Sequence, residues 1–244
     1  MKFASGTTPE ETRAVKAWQT AIGSYPDNSV GPQVVVDTLA ALGVKVWPLN
    51  VNIFKQPLIV AEDILPAAVD APLKAYANAI SGSFSYQRRP CSILVAHGKV
   101  VCGYACHAHL RKPETVLYRL ENGTVGVQKA RYATELPQAV RWAVGGVGLL
   151  EAYDPAEEGF SGAYADVLRR TAHTWLGVKR GLIYLGYCAD MTGAQVNAHV
   201  RKLGMEHAIM LDGGHVAAIN GAESKINIGQ RQFFIVQAVQ EGEK

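Results

Sequence analysis

Apolar residues recur along this chain with two periods. In the first forty-odd residues the spacing is helical: Val15, Trp18 and Ile22 share one face, and Val35, Leu39 and Leu42 share another. Thr8, Pro9 and Glu11 make a capping box with proline at the first helical position. Gly23 is placed to end that helix, Pro32 to open the next and Gly43 to close it. The spacing predicts a small helical hairpin over residues 1–43, joined through residues 24–31.

From residue 44 the apolar runs shorten and become strand-like. Strands are predicted at 44–51, 58–61, 79–84, 92–96, 99–104, 116–120, 124–128, 142–150, 169–172, 181–188, 208–211 and 233–239. His97-Gly98, Asn122-Gly123 and Asn220-Gly221 supply tight turns between neighbours. The Ala-rich stretch 66–78 is expected to contain a helix opened or interrupted by Pro72, and 151–162 reads as an acidic surface loop. Thr192 caps a helix with Val196, Val200 and Leu203 on one face and Gly204 at its end. Gly145, Gly146 and Gly148, in an otherwise apolar run, require close approach of another backbone. Many strands, hairpins and few helices predict an α+β domain over residues 44–244, with a mixed or antiparallel sheet.

The candidate chemistry starts at His207–Gly213 and its neighbour Gly214. An apolar run, Ala208 to Leu211, delivers one carboxylate, Asp212, to a double glycine. A strand fixes the acid, and the glycines admit a ligand close to the backbone. The same residues equally suit an Asp-Gly turn at a strand end.

Composition narrows the function classes. The 244 residues carry 24 basic and 21 acidic side chains and are 48% hydrophobic, so a packed core is expected and charge gives no case for nucleic acid. No apolar run approaches the roughly 20 residues that span a bilayer. Residues 1–6 have one lysine and no apolar signal core, so a cytoplasmic product is expected. The four cysteines, Cys91, Cys102, Cys106 and Cys188, are too few for a disulfide framework. Cys102, Cys106, His107 and His109 match no zinc spacing, and strand alternation would divide them between two faces. Neither a metal nor a cofactor is expected. Arg88-Arg89 reads as a solvated loop pair or a contact for an anionic polymer.

Two stretches carry resemblances. Val15-Lys16-Ala17-Trp18-Gln19, Ile22-Gly23, Pro26-Asp27-Asn28 and Val30-Gly31-Pro32-Gln33 are similar to the peptidoglycan-binding type 1 modules, over residues 9–43. Asn28 stands where that family has glycine. Further on, six motifs occur in order: Ala79 to Phe84, Ser92 to Val100, Ala143 to Val147, Arg170-Thr171-Ala172, Thr192 to Gly204 and Ala208 to Gly214. Together they resemble the phosphodiester glycosidase domain, over residues 45–240.

That resemblance implies a hydrolase that cleaves between a sugar anomeric carbon and a phosphodiester. Asp212 takes the place of the family's acid, Arg170 and Thr171 its Arg-Thr, and Gly82, Gly213 and Gly214 its glycines. Ser81 and Ser83 stand where the family has Asn and Gly, and His215 follows the double glycine where the family continues with glycine. A phosphodiester leaving group needs charge neutralisation more than a proton, which suits Arg170. Hydroxyls of Ser81, Ser83 and Thr171 and amides of Gly82, Gly213 and Gly214 are candidate substrate donors. Asp212 is a candidate base or stabiliser of positive charge, and His215 a candidate acid or base. Glu62, Asp63, Glu151 and Asp190 are candidates for a second carboxylate.

The expected partner is a glycan or sugar phosphodiester. Joined to peptidoglycan binding through residues 9–43, this points to a bacterial cell-wall polymer and to a phage or prophage lysin-like protein, released to the wall by lysis. The competing expectation is a binding domain that sequesters a sugar-phosphate or nucleotide-like ligand without cleaving it.

Overall fold

Residues 8–21, 56–150 and 153–239 are described by the computed structural model. The chain divides into two compact units, Met1–Lys55 and Gln56–Lys244. In the first, helix α1 (Pro9–Ala21) starts with the expected capping box. Glu11 N–H donates to Thr8 Oγ1 (3.2 Å), and Thr8 N–H donates to Glu11 Oε2 (3.1 Å). The rest of the expected hairpin, and the strand expected at 44–51, lie outside the described residues.

The second unit is built of short strands. They are β1 (Leu58–Ala61), β2 (Asp63–Pro72), β3 (Ala79–Ser81), β4 (Ser85–Tyr86), β5 (Arg89–Pro90), β6 (Leu94–Ala96), β7 (Lys99–Cys102), β8 (Glu114–Leu120) and β9 (Val125–Ala130). Then come β10 (Val140–Gly148), β11 (Thr171–Lys179), β12 (Leu182–Met191), helix α2 (Gly193–Lys202), β13 (His207–Gly213), β14 (Ile219–Asn220), β15 (Lys225–Ile226) and β16 (Arg231–Val239). Among the described residues nine strands form one sheet in the order β1-β12-β11-β13-β10-β6-β7, with β8 and β9 attached to β10. Five more form a second sheet, β15-β14-β3-β16-β2, and β4 and β5 make a small hairpin. The named pairings are antiparallel. The unit is an α+β fold dominated by antiparallel sheet.

Alternation along β13 explains its central position. Ile209 and Leu211 join a core with Ile80, Phe234 and Val236 of the second sheet. Ala208 and Met210 face the other way, into a core with Trp175 of β11 and Val196 and Val200 of α2. Both faces are dry, so β13 reads as a continuous apolar run. The glycines of β10 allow close approach as expected: a Cβ at Gly146 would lie 2.5 Å from Met210 O, and one at Gly145 would collide with the Glu114 carboxylate.

Three expectations need correction. Residues 66–78 contain no α-helix: most of them lie in β2, and only a 3-10 turn, Leu73–Ala75, follows Pro72. Helix propensity favoured the alanines, but β2 is an edge strand, where Pro66 and Pro72 cost no ladder bond. The 151–162 loop is not all surface, because Glu158 and Phe160 are buried. The strand expected at 99–104 stops at Cys102, and a 3-10 turn, Ala108–Leu110, follows. The alternation expected for Cys106, His107 and His109 therefore does not apply.

Candidate functional site

Three chain segments meet where β3 and β13 end. Gly82 follows β3 directly; its N–H donates to Phe234 O (2.8 Å), and its carbonyl accepts Asp212 N–H (3.1 Å). Any Cβ at Gly82 would run into the Phe234 ring, so glycine is required for this approach. Thr174 of β11 ties the third segment in. Its hydroxyl lies 3.1 Å from Ser81 O and 3.2 Å from Asp212 O. Ser81 Oγ accepts Ala218 N–H (3.0 Å), so this hydroxyl is committed to the scaffold. Ser83 is also buried, but its Oγ has no hydrogen-bond partner among the described residues.

Asp212 is half-buried, with Oδ1 accepting the Gly213 N–H (2.8 Å). Burial pushes its pKa up from the ordinary 3.8 to about 6. The Gly213 N–H opposes this, nearby Asp166 adds to it, and the Arg169 guanidinium opposes it. Gly214 then turns with φ +71°, a left-handed conformation that favours glycine. Arg169 Nη2 lies 3.3 Å from where a Gly214 Cβ would be. Its Nη1 donates to Asp166 O (2.9 Å) and Oδ2 (3.3 Å).

The cation beside Asp212 and Gly214 is thus Arg169. Arg170 points to β12, where Nη1 lies 3.4 Å from Asp190 O and 3.8 Å from Asp190 Oδ2. Thr171 pairs with Met191 in the β11–β12 register. His215 is exposed on the 3-10 turn Gly214–Val216. Of the sequence-predicted residues, Ser81, Gly82, Asp212 and Gly213 are joined by direct or shared hydrogen bonds. Ser83 follows Gly82 in the chain, and Gly214 follows Gly213.

His173 fixes the Arg169 main chain. It is fully buried, opposite Gly213, with Nε2 3.1 Å from Arg169 O and 2.8 Å from Met191 O. Two carbonyls at Nε2 place the ring proton there. Burial holds the imidazole pKa below its ordinary value.

Of the proposed second carboxylates, Glu62 is exposed and Glu151 lies outside the described residues. Asp63 accepts from Trp142 Nε1 (2.7 Å) and pairs with Arg141 (2.8 Å) and Arg119 (3.3 Å). Asp190 is engaged by Arg170. The carboxylate that acts electrostatically on Asp212 is Asp166.

Asp166 also lines a pocket of about 600 Å³ whose walls include Phe84, Tyr86, Tyr104, Phe160 and Tyr164. Such walls stack well against the apolar faces of rings. His107 packs edge-on to Phe160 at 4.6 Å between ring centres, and its Nδ1 lies 3.2 Å from Glu158 O. Behind this wall, Glu114 is buried and accepts Ile93 N–H (2.6 Å), Ser92 O–H (2.7 Å) and Cys106 N–H (3.2 Å). Burial raises its pKa to about 8, and raises that of Glu158, which accepts from Thr115 N–H (3.1 Å) and O–H (2.9 Å). Among the described residues no group of three His, Cys, Asp or Glu side chains is gathered to hold a metal.

Asp166, Arg169, Glu114 and Glu158 were missed by sequence reasoning. Arg169 carried a visible signal in the pair Arg169-Arg170, but which member faces Asp212 depends on where β11 begins. Glu114 and Glu158 carried none: each is an isolated acid whose burial comes from long-range packing.

No family model matches the chain, and no curated protein matches it by sequence. Solved structures do match. The zebrafish N-acetylglucosamine-1-phosphodiester alpha-N-acetylglucosaminidase (NAGPA) catalytic domain, auto-inhibited by its pro-peptide, aligns with a TM-score of 0.56 at 17% identity, over 75% of this chain and 73% of that one. A hypothetical protein from Synechocystis aligns with a TM-score of 0.51 at 12% identity, over 75% of this chain and 59% of that one. At these identities the likeness is one of fold: this chain has an α+β fold similar to that of a phosphodiester glycosidase catalytic domain.

Proposed function

We propose that this protein is a hydrolase that cleaves a sugar-1-phosphodiester, with Asp212 as its catalytic carboxylate. The observation that carries the reading is the placement of Asp212. Its carboxyl lies at the joint of two strand ends, is pushed up by burial to a pKa of about 6 and has the Arg169 guanidinium beside it. The fold likeness supports it.

In this reading Arg169 neutralises the phosphodiester oxygens, so the leaving group departs without a proton. Asp212, ionised above about pH 6, draws a proton from the attacking water or stabilises the oxocarbenium-like carbon. The Ser83 hydroxyl, which has no protein partner among the described residues, and the Gly214 amide are candidate substrate donors. The aromatic pocket takes the sugar or the group beyond the phosphate. Thr171, Arg170 and Ser81 act through the scaffold, and the exposed His215 is the remaining candidate acid or base.

The bacterial cell-wall target, and wall release by lysis, rest only on the resemblance of residues 9–43 and are proposed on that basis. The test is incubation with small sugar phosphodiesters and with purified cell walls, comparing the wild type with Asp212→Asn. Soluble products lost in the variant support the reading. Tight binding without turnover on any substrate would sink it and favour a sequestering domain.

A further inference from the structure

Two sulfurs that the hydrolytic chemistry leaves unused lie together in the pocket. Cys91 Sγ and Cys106 Sγ are 3.9 Å apart, and both are free thiols. Both are half-buried and both line the 600 Å³ pocket. They belong to separate segments of its wall. Cys91 follows β5, and its N–H donates to Phe84 O (2.9 Å), which anchors it to the wall of Phe84 and Tyr86. Cys106 lies on the turn after β7, where its N–H is held by Glu114 (3.2 Å). The other two cysteines, Cys102 and Cys188, are buried and do not line the pocket.

We propose that Cys91 and Cys106 form a reversible dithiol–disulfide site that ties these two wall segments together when oxidised. A disulfide needs its sulfurs about 2.05 Å apart, so they must approach by about 2 Å. Both residues lie outside the named strands, so the approach breaks no ladder bond of those strands.

The oxidant is a small-molecule disulfide, such as oxidised glutathione. The Cys91 thiolate attacks one of its sulfurs, breaks its S–S bond and releases one glutathione thiol, which carries the proton from Cys91. The Cys106 sulfur then attacks the Cys91 sulfur of the mixed disulfide. The protein S–S bond forms, and the second glutathione leaves with the proton from Cys106. The protein loses two electrons, and the oxidant gains them. Cys91 attacks first because its hydrogen bond to Cys106 and burial hold the Cys106 thiol above its ordinary pKa. The crosslink does not depend on the proposed activity; its effect on turnover rests on that reading.

The test is to oxidise the full chain with oxidised glutathione, alkylate the remaining thiols and map the peptides by mass. The expected product is a peptide joining Cys91 to Cys106, reversed by dithiothreitol, with Cys102 and Cys188 still reduced. In Cys106→Ser, a glutathione adduct is expected to accumulate on Cys91 because nothing resolves it. Separate adducts on both cysteines of the wild type, a bond from Cys91 to Cys102, or no reaction would overturn the proposal. Turnover of a sugar phosphodiester is read on the same samples. A crosslink in a protein that never turns substrate over leaves the dithiol site standing and removes the hydrolase reading.

Discussion

At Asp212 two demands oppose each other. The proposed chemistry calls for a carboxylate, but half-burial disfavours its charge and raises its pKa from 3.8 to about 6. The folded protein therefore holds this proton more tightly than the unfolded chain does. The resulting stability is full below about pH 4 and is lost as pH rises through about 6. Asp212→Asn removes the buried charge, keeps an acceptor for Gly213 N–H and is expected to raise stability at pH 7.5 by roughly 1–3 kcal/mol, read by denaturant unfolding. An Asn variant no more stable than the wild type would contradict the account of that carboxyl. The neighbouring arginines separate just as sharply. Arg169→Ala is expected to lower kcat/KM by about 10–100-fold, the loss of one charge-assisted bond, while Arg170→Ala stays within about threefold. Arg169→Ala also removes a cation that lowers the Asp212 pKa, so the acid limb of its pH–rate profile moves up. Motif order alone favoured Arg170. Sequence could show that an arginine precedes β11, but not that Arg170 is drawn off by Asp190 on the neighbouring strand.

Among the elements, β8 bears on the pocket through its first residue. Glu114 holds Ile93 and Cys106 by their amides, so one buried acid braces the wall that Cys106 lines. Its pKa, raised by burial from 4.5 to about 8, sets the sign of its linkage. Stability from Glu114 is full below about pH 4.5 and is lost as pH rises through about 8. The melting temperature of the wild type is expected to fall between about pH 5 and 8, and Glu114→Gln to flatten that slope. Glu114→Ala, which leaves two buried amides unpaired, is expected to cost about 2–4 kcal/mol. Most elements were legible because their signals are local. The α2 capping box of Thr192 and Gln195, the His97-Gly98 turn with both φ values positive, and the alternating faces of β13 all follow from short-range chemistry. The stretch 66–78 was misread because its alanines favour helix, whereas pairing with β16 along an edge decides the structure.

Over the whole molecule, the described part of the second unit has its own apolar cores, one between the two sheets and one beneath α2. A chain beginning at Gln56 is expected to melt cooperatively and to keep the turnover of small substrates. Capture on insoluble peptidoglycan is expected only with residues 1–55 present. A truncated chain that binds peptidoglycan as well as the full one would remove the proposed role of the first unit. The central claim belongs to the site itself. It is tested most directly by the pH dependence of kcat/KM on a small hexosamine-1-phosphodiester, for the wild type and Asp212→Asn. The expected wild-type profile rises to a plateau above about pH 6, and the variant lies at least about 100-fold below it. An Asn variant with wild-type rates, or a wild type that binds this substrate and releases no sugar, would contradict the assignment of Asp212 as the catalytic carboxylate.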